Sequence, residues 1–95
     1  MVILHVTQTF ANSEERTNYV NDLYAAGVPQ TSRSEDGNIM YDYFFSRDRD
    51  NEMILIEKWE SEEALAAHQS TDLFKTIPSI KAPYEITTSV ERFNI

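Results

Sequence analysis

The chain has 95 residues, 41% of them apolar and 12% aromatic, which suffices for one core and predicts one domain over residues 1–95. Eight lysines and arginines stand against 16 aspartates and glutamates, a formal charge of −8 that argues against nucleic acid or an anionic membrane as partner, because phosphate binding needs a basic face. The absence of cysteine excludes disulfides, thiolate zinc sites and cysteine nucleophiles.

No apolar run approaches the roughly 18–20 residues of a membrane span. The start, Met1-Val2-Ile3-Leu4-His5, has no basic n-region, so it does not read as a signal peptide, and a cytoplasmic protein is the expectation. Val2 to Phe10 is β-branched and apolar and reads as a first strand. Asn12 then offers a cap with Glu15 three residues on, and Tyr19, Val20, Leu23 and Tyr24 follow at helical spacing. Gly27 is a natural stop, with Pro29 beyond it. The polar stretch from Val28 to Gly37 has room for one short helical turn.

Ile39 to Ser46 reads as a second strand with Ile39, Tyr41, Tyr43 and Phe45 on one face, and Met40 and Phe44 on the other. After the polar turn Arg47 to Asn51, Glu52 to Glu60 reads as a third strand, paired to the second as a hairpin. Met53, Leu55 and Trp59 share one of its faces, and Ile54 and Ile56 the other. Ser61 caps a helix carrying Ala64, Leu65 and His68 along one stripe. Ser70-Thr71-Asp72 reads as a break, followed by a short helix from Asp72 to about Ile77 that Pro78 should stop. Tyr84 to Phe93 reads as the fourth strand.

The order β-α-β-β-α-β predicts an α+β, ferredoxin-like fold: an antiparallel four-stranded sheet with its helices on one face. The central hairpin is apolar on both faces, whereas a strand with one solvated face alternates cleanly. Helices cover one face only, so a second copy of the chain is the expected cover for the other, and a homodimer is predicted.

Gly37-Asn38-Ile39-Met40-Tyr41, Ile54 to Ser61 with its Glu57-Lys58-Trp59, Ala64 to His68 and Asp72-Leu73-Phe74 together resemble the antibiotic-biosynthesis monooxygenase (ABM) family over about residues 33–77. The resemblance implies a dimeric α+β barrel with a pocket between sheet and helices in each subunit. It also implies oxidation of electron-rich aromatics with neither metal nor flavin. The haem-degrading branch of that family uses an Asn, a Trp and a His where this chain has Thr7, His68 and Pro78, so haem degradation is not expected. An isomerase branch handles phosphorylated carbonyl compounds.

His68 is the first candidate for catalysis, because an imidazole titrating near neutrality can accept a proton from a phenol or an acidic C–H. It can equally be a packed residue bonding a backbone carbonyl. Glu57 points from a core strand, so it needs a fixed partner; Tyr41, Tyr43, His5 and His68 are the candidates, and its role is to orient a base or simply to make a structural bond. Trp59 offers an apolar wall and an indole N–H. Tyr41 and Tyr43 could donate to a developing oxyanion. His5 and Thr7 share one face of the first strand and complete the candidate substrate site, with His5 as a second possible base.

Asp48 to Glu52 lacks the glycine and distal glutamate of a calcium loop, and two isolated histidines do not make a zinc site, so no metal is expected. With Gly27 and Gly37 the only glycines, no nucleotide-binding loop can form, and no cofactor is expected. The leading expectation is a cofactor-independent oxygenase of a quinol, polyphenol or similar planar aromatic. An isomerase or tautomerase of a small carbonyl compound, or a non-catalytic ligand-binding dimer, are the alternatives.

Overall fold

Caps set the helix starts. In the computed structural model, which describes residues 1–95, the Asn12 side chain accepts from the amide of Glu15 at 2.9 Å, that of Ser61 from Ala64 at 3.1 Å, and that of Thr71 from Phe74 at 3.1 Å. Each satisfies one of the amides that a helix start leaves unbonded. The elements are β1 (Val2–Phe10), α1 (Ser13–Ala25), α2 (Val28–Ser34), β2 (Asn38–Phe45), β3 (Glu52–Trp59), α3 (Glu62–Gln69), α4 (Asp72–Lys81) and β4 (Ile86–Asn94). The expected ferredoxin-like order is present, with each helical crossover divided in two. The sheet is antiparallel throughout, in the order β2-β3-β1-β4.

One helix runs further than its sequence suggests. Pro78 lies inside α4, which continues to Lys81. An internal proline costs roughly 3 kcal/mol, and two features offset it. Pro78 is exposed, so water can serve the carbonyl deprived of its donor. Leu73, Ile77 and Ile80 also pack on the core along one side of the helix, and that side is lost if the helix ends early. The turn expected after Val28 is likewise a full short helix, started by the left-handed Gly27 (φ 78°) with a proline in its first turn.

Strand register then sorts the side chains. Even positions of β1 face the helices: Val2, Leu4, Gln8 and Phe10 are buried. On β3 it is the odd positions, where Met53, Leu55, Glu57 and Trp59 alternate with half-buried neighbours. On β2 the pairing skips at Ile39, between Asn38 opposite Trp59 and Met40 opposite Lys58. That irregularity turns Ile39 outward to 52% exposure, so it does not share the inner face with Tyr41 and Tyr43 as simple alternation predicts.

Gly37 closes the turn into β2 against α3. Its φ is +82°, and a Cβ there would lie 2.5 Å from the Cβ of Ala64. Only glycine meets both the left-handed backbone and the contact. The core itself is in two parts. Val2, Leu4, Tyr41, Leu55, Trp59 and Leu65 form one cluster; Phe10, Tyr19, Leu23, Val28 and Met53 form the other, and Tyr43 packs against both. No helix is long and apolar enough to cross a membrane.

Candidate active site

The gap between the two clusters is a cavity of about 250 Å³ under the helices. Leu4, Val6 and Leu55 floor it from the sheet, and Phe74 and Ile77 of α4 close it from above. Its polar groups are Gln8, Tyr19, Tyr41, Tyr43, Glu57 and Gln69, and no lysine or arginine lines it. An apolar chamber with a few converging polar groups is the general form of a small-molecule site.

Glu57 is the charged group of this chamber. Its place on β3 between Leu55 and Trp59 turns it to the helix face, where it is 7% exposed. The indole N–H of Trp59 donates to its Oε1 at 3.1 Å. Burial pushes the Glu57 carboxyl above the ordinary carboxylate range, against the smaller pull of the Trp59 bond and of His68, while Glu35 adds to the rise. The carboxyl can therefore hold or release a proton nearer neutrality than a surface glutamate.

His68 stands behind Glu57. Three residues after Leu65 on α3, it faces the sheet and is 4% exposed. Its ring is stacked at a tilt on Trp59, with centroids 4.6 Å apart, and meets the edges of Phe74 at 5.2 Å and Tyr41 at 5.7 Å. Nδ1 lies 2.6 Å from Oε1 of Glu35. Nε2 is buried with no hydrogen-bond partner, 3.9 Å from Oε1 of Glu57. His68 does not line the cavity; it lines a second crevice with Glu35, Asp36, Ala64, Ala67 and Thr71.

Tyr41 and Tyr43 lie edge to face, with ring centroids 6.0 Å apart, on the cavity wall. Burial raises both phenols above their ordinary value, and Tyr19 is raised by the same cause. All three keep their protons at neutral pH and can donate to an oxygen in the chamber. Arg33 of α2 fixes this wall by donating to the Tyr41 carbonyl at 2.9 Å and to the Tyr24 hydroxyl at 3.0 Å.

The expected residues thus divide. Glu57, Tyr41 and Tyr43 meet in the cavity, with Trp59 and His68 directly behind them. His5 and Thr7 are elsewhere, because odd positions of β1 point to the open face of the sheet. There His5 meets the Phe93 ring at 5.1 Å, and Thr7 borders a shallow crevice with Phe44 and Ile54. They do share a face, but neither lines the chamber, and the expectation that they complete the substrate site is corrected.

Several residues escaped that reading. Gln8 carries a visible signal: it is the one polar side chain at the even, inward positions of β1. Tyr19 sits in a helical stripe that also serves ordinary packing. Glu35 gives no local signal, since it lies in a polar turn and meets His68 only through the tertiary fold. The carbonyls of Ser46, Arg49 and Glu52, around the polar hairpin turn, receive the Arg16 guanidinium at 3.1–3.5 Å.

Comparison with known proteins agrees with this architecture. The family model for antibiotic biosynthesis monooxygenase matches residues 2–77. YcnE of Bacillus subtilis, which bears a provisional monooxygenase name, is 34% identical over 62 residues, an alignment spanning 65% of this chain and 63% of that protein. A conserved Bacteroides thetaiotaomicron protein of unknown function superposes with a TM-score of 0.84 at 26% identity, covering 99% of this chain and 96% of that one. SnoaB of Streptomyces nogalater, a cofactor-independent oxygenase, has the same fold, with a TM-score of 0.75 at 16% identity over 99% of this chain and 91% of its own.

Proposed function

This chain belongs to the antibiotic biosynthesis monooxygenase family, and we propose that it is a cofactor-independent monooxygenase acting on a quinol, polyphenol or similar planar aromatic. The observation that carries the reading is the buried Glu57 carboxyl in an apolar chamber, with His68 behind it and phenol donors beside it. A flat, largely apolar molecule suits the walls, and its hydroxyl suits the tyrosines. The absence of a lysine or arginine from the lining leaves a phosphate without a counter-ion, which disfavours a phosphorylated carbonyl substrate.

In this reading Glu57, backed by His68, removes a proton from a phenol or an activated ring C–H. Tyr41 and Tyr43 hold the resulting oxyanion. The anion is rich enough in electrons to reduce dioxygen itself. One oxygen atom enters at a ring C–H and the product is a hydroxyquinone; the other leaves as water with the two hydrogens that the quinol loses in all. All the electrons come from the substrate, so no bound reductant is required. Dry walls strengthen each of these interactions.

The functional unit is one domain in each of two subunits. Ile3, Met40, Phe44, Ile54, Ile56 and Phe93 lie on the open face of the sheet, with Phe44 at 45% and Phe93 at 43% exposure. Asp42, Lys58 and Glu91 share this face, yet a monomer rarely leaves so many large apolar side chains on one face to water. A second copy covering about 800 Å² of each subunit would bury it.

Oxygen uptake with 1,4-dihydroxynaphthalene, measured with and without air, tests the activity. The expectation is turnover that stops under nitrogen and falls about 10²-fold in His68→Gln. Turnover that persists without oxygen defeats the oxygenase reading. Solvent deuterium entering a dicarbonyl compound without oxygen uptake would replace it with an isomerase.

A further inference from the structure

Glu35 lies outside the cavity, on the turn before β2, yet its carboxylate makes the shortest polar contact of His68. The His68 ring is a partition. Its Nε2 edge faces Glu57 and the chamber, while its Nδ1 edge faces Glu35 and the separate crevice, a space of about 220 Å³. The charged or titratable groups packed around it are Glu35 and Asp36 from the turn, Tyr41 from β2 and Glu57 from β3.

We propose that Glu35 is the positioning residue of a proton store, fixing the Nδ1–H form of His68 so that Nε2 receives the proton Glu57 takes from the substrate. An ionised carboxylate only accepts hydrogen bonds, so a contact of 2.6 Å to Nδ1 requires the ring proton there. In the neutral ring this leaves the Nε2 lone pair turned toward Glu57. The 3.9 Å gap is longer than a hydrogen bond and closes only if the Glu57 side chain or the ring moves by about 1 Å, which makes the transfer a discrete step rather than a standing bond. No protein group bonds the buried Nε2, so nothing in the fold competes with Glu57 for it.

The transfer is balanced. One proton passes from substrate to Glu57 and on to Nε2, and the imidazolium so formed stands against the negative charge of Glu35. It returns by the same two groups to the reduced oxygen as water forms, so the ring ends each cycle in its starting tautomer. Glu35 never touches the substrate. This inference rests on the proposed oxygenase reaction for its chemistry, whereas the tautomer it requires belongs to the protein alone.

The test therefore begins without substrate. Nitrogen-15 correlation spectra of the native protein at a pH where His68 is neutral should place the proton on Nδ1. In Glu35→Ala the two tautomers should mix, and sodium formate, small enough to enter the crevice, should restore the Nδ1–H form. With 1,4-dihydroxynaphthalene, Glu35→Ala should turn over about 10²-fold more slowly and recover in part with formate. A native ring carrying its proton on Nε2 overturns the proposal, and that measurement needs no variant to fold. An unchanged tautomer in a folded Glu35→Ala also overturns it. A native protein that is Nδ1–H yet inert toward quinols and oxygen would remove the oxygenase reading while leaving the positioning by Glu35 in place.

Discussion

Trp59 donates its indole N–H to Glu57, two residues earlier on the same strand face, and thereby ties the least exposed aromatic residue to the one carboxyl of the cavity. The bond crosses no loop and depends only on the pleat, which sets i and i+2 side by side. Glu57 gains a fixed rotamer and a donor that partly offsets its burial. Trp59 gains a partner for a buried N–H that would otherwise be left without one.

Removing that donor should move the acid limb of catalysis. Trp59→Phe keeps an aromatic wall but loses the N–H, so Glu57 should rise further and the activity should need a higher pH to develop. The smaller ring and the lost bond should also cost about 1–3 kcal/mol of stability. A pH–rate profile beside a urea titration separates the two effects.

Glu57 also predicts how stability follows pH. Its folded value lies above the ordinary 4.5, so in the interval between them the native state holds more protons than the unfolded chain. Stability from this group is therefore full below about that ordinary value and declines as pH rises through the folded one. Glu57→Gln should abolish the decline and make the variant relatively more stable toward neutral pH, with turnover lowered about 10²-fold. Paired melting curves from acid to neutral pH read this directly.

Gly37 should tolerate no side chain. Gly37→Ala places a methyl against Ala64 and holds a left-handed residue, and about 2 kcal/mol or more of destabilisation is expected. The urea midpoint should fall with little change in slope. Because Glu35 is two residues away, the Nδ1–H signal of His68 should broaden in the same variant.

The open face of the sheet should govern assembly. Ile56→Glu puts a charge at its middle, on the face away from the cavity. Sedimentation should show a native dimer and a variant shifted to single subunits. A native chain that sediments as one well-folded copy would remove the second subunit from the proposal.

What the residues alone determined is whatever repeats along the chain. β-Branched, apolar composition along Val2–Phe10 and alternation along Glu52–Trp59 defined strands, so Glu57 and Trp59 could be placed together on one face before any fold was known. Asn12 and Ser61 marked helix starts, because a cap bonds its own near neighbours, and Gly27 marked a helix end. The family pattern around Gly37, Trp59 and His68 carried the rest of the architecture. Tertiary structure alone decided which strand face became the chamber, and so excluded His5 and Thr7. It let packing on α4 override Pro78, and a skipped pairing turn Ile39 outward. It also brought Glu35 to His68 across 33 residues. Periodicity is written between adjacent residues, whereas a contact between distant ones exists only after strand order, register and helix placement have been fixed together.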